Sequence, residues 1–167
     1  MKKKLAVMFA LFALLFFSGQ ADVSARKFIT VVPSSEITFS GIGKYATIEE
    51  VKRIYGEPET LSRRDDGLIY FVYGNSWRFL CKPVNGQYYV YQMEVTKNNG
   101  ITTPSGIHVG STTDEVYAAY GDYNDASSNG SYNWNLSSVQ PGQPDDRSLF
   151  ITVKDNKVVN MVILYSY

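Results

Sequence analysis

The chain has 167 residues, with 16 Lys and Arg against 16 Asp and Glu for a formal net charge of zero, and it carries 13 tyrosines. That balance leaves no basic footprint for nucleic acid or an anionic membrane surface. One cysteine excludes an internal disulfide, and one histidine cannot by itself assemble a metal-ligand set.

The N-terminus reads as an export signal over residues 1–25. Lys2, Lys3 and Lys4 form a basic start, Leu5 to Phe17 is almost wholly apolar, and small residues follow, with cleavage expected after Ala25 or after Ala21. The apolar run is too short and wrongly flanked for a spanning helix. No cysteine lies near the cleavage region, so the lipid-anchored route lacks its acceptor. The expectation is a secreted or periplasmic protein with no stable membrane anchor after cleavage. Removal of residues 1–25 leaves 13 basic and 15 acidic residues, a net charge of −2. About 142 residues remain, a normal size for one domain with a core. The extension 26–40 contains KFITVV (27–32), which reads as an edge strand.

Next comes GIGKYATIEEVKRIYG, residues 41–56, a phrase that returns as GIHVGSTTDEVYAAYG at 106–121. An offset of 65 aligns Gly41 with Gly106, Ile42 with Ile107, Thr47 with Thr112, Glu50 with Glu115, Val51 with Val116, Tyr55 with Tyr120 and Gly56 with Gly121. The spacing predicts two short helices. Thr47 or Ala46 in the first copy and Ser111 or Thr112 in the second stand where an N-cap is wanted, and Glu50 and Glu115 fall three residues after the threonines, as in a capping box. Ile48, Val51, Ile54 and Tyr55, and likewise Val116, Ala119 and Tyr120, recur at helical spacing. Gly56 and Gly121 stand where a helix is closed, and Pro58 blocks continuation of the first. The shared phrase signals a duplicated unit.

β-like segments follow each helix. After the first come LIYFVY (68–73), WRFLC (77–81) and YYVYQMEV (88–95), the last two joined by a turn at Asn85-Gly86. After the second come SYNWNL (131–136), SLFITV (148–153) and VVNMVILY (158–165), with a tight polar turn over 154–157. The expected fold class is α+β: two tandem helix-plus-antiparallel-meander units, 41–96 and 106–167, with the helices packed on one face of a curved sheet. Residues 97–105 read as a polar linker. The long loop 137–147 is either a flexible excursion or part of a recognition surface.

The glycine-bounded helix phrase, duplicated and followed each time by a meander, resembles the superfamily that joins the beta-lactamase inhibitor proteins with the SmpA/OmlA (BamE-like) outer-membrane assembly lipoproteins. The tandem layout is most similar to the inhibitor, whose two helix-plus-sheet units share one curved sheet. The inhibitor's cysteines and a lipidated N-terminal cysteine are absent, so the resemblance implies a fold and no contact residues.

Catalytic motifs are sparse. His108 reads as a surface or cap residue, Cys81 in WRFLC as a buried small hydrophobe, and Asp65-Asp66, Asp122/Asp125 and Asp145-Asp146 as solvated turn carboxylates. No cofactor or metal is expected. Binding has more support, because Tyr, Trp and Arg dominate interface energetics. Strand alternation places Tyr89, Tyr91, Met93 and Val95 beneath the helix, and Tyr88, Gln92 and Glu94 on the opposite face with Tyr70 and Arg78. Asn133, Asn135, Thr152 and Asn160 line the matching face of the second unit. The expected partner-binding set is Tyr70, Arg78, Tyr88, Gln92, Glu94 and Thr152. The leading functional expectation is a noncatalytic module that binds a protein partner, with inhibition of a secreted or envelope enzyme as its sharpest form. Competing expectations are an envelope assembly or cell-surface scaffold protein and, more weakly, a small hydrolase using His108.

Overall fold

The computed structural model describes residues 29–138 and 147–166. The proposed signal and residues 139–146 of the expected loop lie outside the described residues. In chain order the elements are β1 (Val31–Val32), α1 (Ile48–Tyr55), β2 (Thr60–Arg63), β3 (Ile69–Tyr73), β4 (Trp77–Val84), β5 (Gln87–Val95), α2 (Thr113–Tyr120), β6 (Asp125–Ala126), β7 (Tyr132–Ser138), β8 (Arg147–Lys154) and β9 (Lys157–Tyr165). All nine strands belong to one sheet, in the order β1-β7-β8-β9-β5-β4-β3-β2, with β6 paired to β7. Its neighbours are antiparallel except β1, which runs parallel to β7 and makes the sheet mixed.

This overturns the expected architecture of two tandem helix-plus-meander units whose helices cover a curved sheet. The described residues form predominantly one nine-stranded mixed sheet with two short α-helices. The physical reason lies where the two meanders meet: Gln92 to Val95 of β5 pair with Leu164 to Met161 of β9, so neither meander keeps an edge there. At about 1.5 Å per residue each eight-residue helix is about 12 Å long, whereas the eight strands that follow one another across the sheet, at about 4.8 Å spacing, span roughly 34 Å. The helices are minor elements beside that sheet.

The local helix signals do act as read. The Thr47 and Thr112 side chains accept from the backbone N–H of Glu50 and Glu115, whose carboxylates accept in return from the Thr47 and Thr112 N–H at 2.8 and 2.6 Å. Each cap also reaches the sheet. Val90 N–H donates to Ala46 O at 2.9 Å and Val158 N–H to Ser111 O at 2.8 Å, so these segments flank the first halves of β5 and β9.

One face of the sheet carries the core. Phe71, Trp77, Phe79, Cys81, Val90, Met93 and Val95 join Trp134, Leu136, Leu149, Ile151, Met161 and Ile163 there, all buried. Ile48, Val51, Val116 and Tyr120 enter it from the helices, with Tyr55 edge-on to Trp77 at 4.7 Å and Tyr117 to Trp134 at 5.4 Å. Ile37, Phe39 and Ile42 complete it from the extension, and the buried Ile101 and Thr103 show that the 97–105 segment is more than a polar linker. The segment is tied across the chain by Ser40 N–H to Thr102 O at 2.9 Å.

A polar cluster closes one side of this core. The Tyr120 hydroxyl donates to Glu36 Oε2 at 3.1 Å and lies 2.9 Å from Thr103 Oγ1, while Ser105 Oγ donates to the same Glu36 oxygen at 2.7 Å. Burial pushes the Tyr120 hydroxyl up to about 12, and the Glu36 charge adds to the rise.

Candidate functional site: the open face of the sheet

Strand alternation sends the other set of side chains to the opposite face. Two rows run across it in register. Tyr70, Leu80, Gln92, Leu164 and Ser148 form one, and Val72, Arg78, Glu94, Val162 and Phe150 the other. Leu80 is 3% exposed and stands between Tyr70 and Gln92 on the neighbouring strands. The remaining apolar members are half-buried. At the centre, the Arg78 guanidinium bonds the Glu94 carboxylate and lies over the Tyr70 ring, 6.0 Å from its centroid. The face is therefore a mixed apolar and polar surface organised around one ion pair.

Four expected site residues, Tyr70, Arg78, Gln92 and Glu94, are brought together here. Tyr88 is a correction. Its ring packs edge-on against Phe71 on the core side, centroids 6.0 Å apart, and its hydroxyl accepts from Arg63 Nη1 at 3.4 Å. The cause is a β-bulge: Leu80 pairs with Gln92 but Cys81 with Val90, so Tyr91 is an extra residue and the alternation of β5 resets across it. Val90 and Tyr88 thereby turn to the core, and Tyr89, expected beneath the helix, stands opposite Lys82 on the open side. Thr152 does lie on the open side, but in a third, polar row between Asn133 and Asn160, with its hydroxyl 3.0 Å from Asn133 Oδ1. It extends the surface without touching the Tyr70–Arg78–Glu94 cluster.

Sequence reasoning missed Leu80, Val162, Leu164 and Phe150 as members of this face. Their alternation in β4, β8 and β9 was visible. Leu80 meets Gln92 within the β4–β5 hairpin, whereas the convergence of Val162, Leu164 and Phe150 on Gln92 and Glu94 depends on the β5–β9 pairing, which no local pattern encodes.

Of the groups considered for catalysis, His108 lies in a turn and Cys81 in the core. The His108 N–H donates to Ser111 Oγ at 3.1 Å, and Nδ1 sits 3.1 Å from that oxygen and 3.2 Å from Gly106 O, so the ring closes the turn before α2. Ser111 is buried, and the nearby Glu115 carboxylate is held in the capping box, which keeps it below the usual carboxylate range. Cys81 is fully buried, and burial pushes its thiol up to about 12.

No family model and no curated protein matches the chain. Among solved structures it is similar to a cysteine-rich secretory protein from Staphylococcus aureus subsp. aureus Mu50, with 11% identity and a TM-score of 0.52 over 84% of this chain and 51% of that one. It is also similar to an extracellular protein containing an SCP domain from Bacillus anthracis str. Ames, with 10% identity and a TM-score of 0.44 over 74% of this chain and 44% of that one. The chain spans about half the length of these structures. The first likeness is one of fold alone. It sets the fold beside that of a cysteine-rich secretory protein, and the resemblance to the beta-lactamase inhibitor and BamE-like superfamily is thereby overturned. Among the described residues no helix is long and apolar enough to cross a membrane.

Proposed function

We propose that the protein is an exported, noncatalytic binding module that docks a protein partner on the open face of its sheet. The observation that carries this reading is the pair of cross-sheet rows, in which Leu80, Val72, Val162, Leu164 and Phe150 surround the Arg78–Glu94 pair and the Tyr70 ring. An apolar bed with one Arg and one Tyr at its centre is the composition from which interface anchors are drawn. A β-sheet presents that set on a rigid frame, so little ordering entropy opposes docking.

Two facts support the noncatalytic part: the Ser111–His108 pair closes a turn, and the Cys81 thiol is buried. Export is supported by the basic and apolar start of the sequence together with the secretory description of the fold neighbour. The partner class is a protein of the extracellular or envelope space. Enzyme inhibition is a readout to apply to whatever is captured, because the inhibitor resemblance no longer argues for it.

The test is capture from the native secretome with the protein and its Tyr70→Ala/Arg78→Ala variant as baits, both checked for the native fold. A specific protein retained by the first and lost from the second is expected. Equal retention by both baits would remove the open face as the binding surface.

A further inference from the structure

Among the described residues β2 is an edge: it pairs with β3 on one side and with no strand on the other. All four of its residues are exposed, including Leu61 at 53%. Such an edge presents unpaired backbone groups to any second strand. Arg64 N–H bonds Leu68 O at 2.9 Å across the β2–β3 turn, so the antiparallel alternation turns Thr60 and Ser62 toward β3 and leaves the N–H and C=O groups of Leu61 and Arg63 directed outward.

We propose that this edge pairs with the β2 edge of a second copy of the chain, antiparallel about a two-fold axis, to join the two sheets. The occupant follows from charge and register. Outward-directed residues must oppose one another, which allows three registers. Placing Arg63 opposite Arg63 puts like charges face to face. Placing Leu61 opposite Arg63 brings Glu59 against Asp65. Placing Leu61 opposite Leu61 sets Arg63 against Glu59 twice and Thr60 against Ser62 twice, so the charges from 59 to 63 meet their opposites; beyond them Asp65 comes opposite Glu57, whose charge is already met by Lys52 at 3.4 Å. Glu59 contributes its carboxylate to this seam, since its N–H is bonded to Val72 O at 2.9 Å. Leu61 lies in the row of Phe71 and Phe79, so the Leu61–Leu61 contact continues the core-side face across the join. Four residues form a small interface, and the association is weak and concentration-dependent. It does not use the open face and stands apart from the function proposed above.

The test uses a charge swap that a merely exposed strand would not feel. Glu59→Arg and Arg63→Glu should each lower the association constant several-fold in sedimentation equilibrium, because each alone sets like charges across the seam. Mixed in equal amounts they should recover at least the wild-type association, since one chain then carries two positive and the other two negative residues. Wild-type protein monomeric at millimolar concentration, single variants that associate unchanged, or a mixture no stronger than its components would each overturn the proposal. As an independent arm, Leu61→Cys chains treated with diamide, which takes up the two protons and two electrons released by the thiols, should cross-link 61 to 61. Ser62→Cys chains should cross-link several-fold more slowly, and equal rates would also overturn the register.

Discussion

The Tyr88 ring meets Phe71 edge to face on the core side of the sheet, while Tyr70, one residue before Phe71, lies on the open side beneath Arg78. The two tyrosines should therefore separate stability from binding. Tyr88→Ala removes a half-buried ring that packs on the core and should cost about 2 kcal/mol, below the 3–5 kcal/mol typical of a fully buried aromatic. Tyr70→Ala should change stability by under about 1 kcal/mol yet weaken partner capture. Urea titrations of both variants, set beside their capture yields, check this. A Tyr88→Ala variant that keeps its stability and loses the partner would reverse the assignment.

How much could be read from the chain depends on range. The capping boxes at Thr47 and Thr112 and the turn at Asn85-Gly86 are local, and each forms as its residues dictate. The face of Tyr88 failed because one extra residue at Tyr91 inverts a period of two, and nothing in YYVYQMEV marks it. The β5–β9 join is non-local. Its residues, QMEV and MVIL, are as suited to an outer strand as to a central one, so two meanders read as two units when they form one sheet. The candidate site was half legible for the same reason: Tyr70, Arg78, Gln92 and Glu94 come from one meander, and Val162 and Leu164 arrive only through the join.

The two tryptophans are buried alike but differ in their polar atoms. Trp134 Nε1 donates to Gly121 O at 3.0 Å, while among the described residues Trp77 Nε1 has no hydrogen-bond partner. Both substitutions by Phe leave a smaller ring. Trp134→Phe also strands the carbonyl that ends α2, and Trp77→Phe removes a donor that is already unpaired. Trp134→Phe should be the more destabilising by roughly 1–2 kcal/mol. Chemical denaturation of the two variants gives the difference directly, and an equal or opposite ranking would show that Trp77 has a partner in solution.

Cys81, Tyr73 and Tyr120 give the fold an alkaline limit. Burial is the first cause of the rise in each, and each is pushed up to about 12. In the unfolded chain they ionise near their ordinary values, 9.0 for the thiol and 10.0 for the phenols. Because the folded values are the higher ones, the stability they contribute is fully present below about 9 and is lost as pH rises toward 12. Urea midpoints should fall across that window. At pH 8 the thiol should react with a disulfide reagent only as fast as the protein opens, so labelling should accelerate with urea. Prompt labelling of the native protein would contradict the burial of Cys81.

The capping boxes set the opposite limit. Thr112 N–H is the first cause that lowers the Glu115 carboxyl, and its hydroxyl is the second; Thr47 does the same for Glu50. A carboxyl lowered in the folded state stabilises the fold above its unfolded value, near 4.5, and that contribution disappears as pH falls from there through the folded value. Both carboxylates are exposed, so each acts through its hydrogen bonds to the start of its helix, where a negative charge also suits the helix dipole. Glu50→Gln/Glu115→Gln protein should be less stable than wild type at pH 7, and the gap should close on acidification below about 4.5. Thr112→Ala, which removes the hydroxyl that holds Glu115 N–H, should cost about 1 kcal/mol at neutral pH. Thermal unfolding of the three proteins from pH 3 to pH 7 tests both statements. A gap that persists undiminished at pH 3 would mean that the two glutamates act by packing and not by charge.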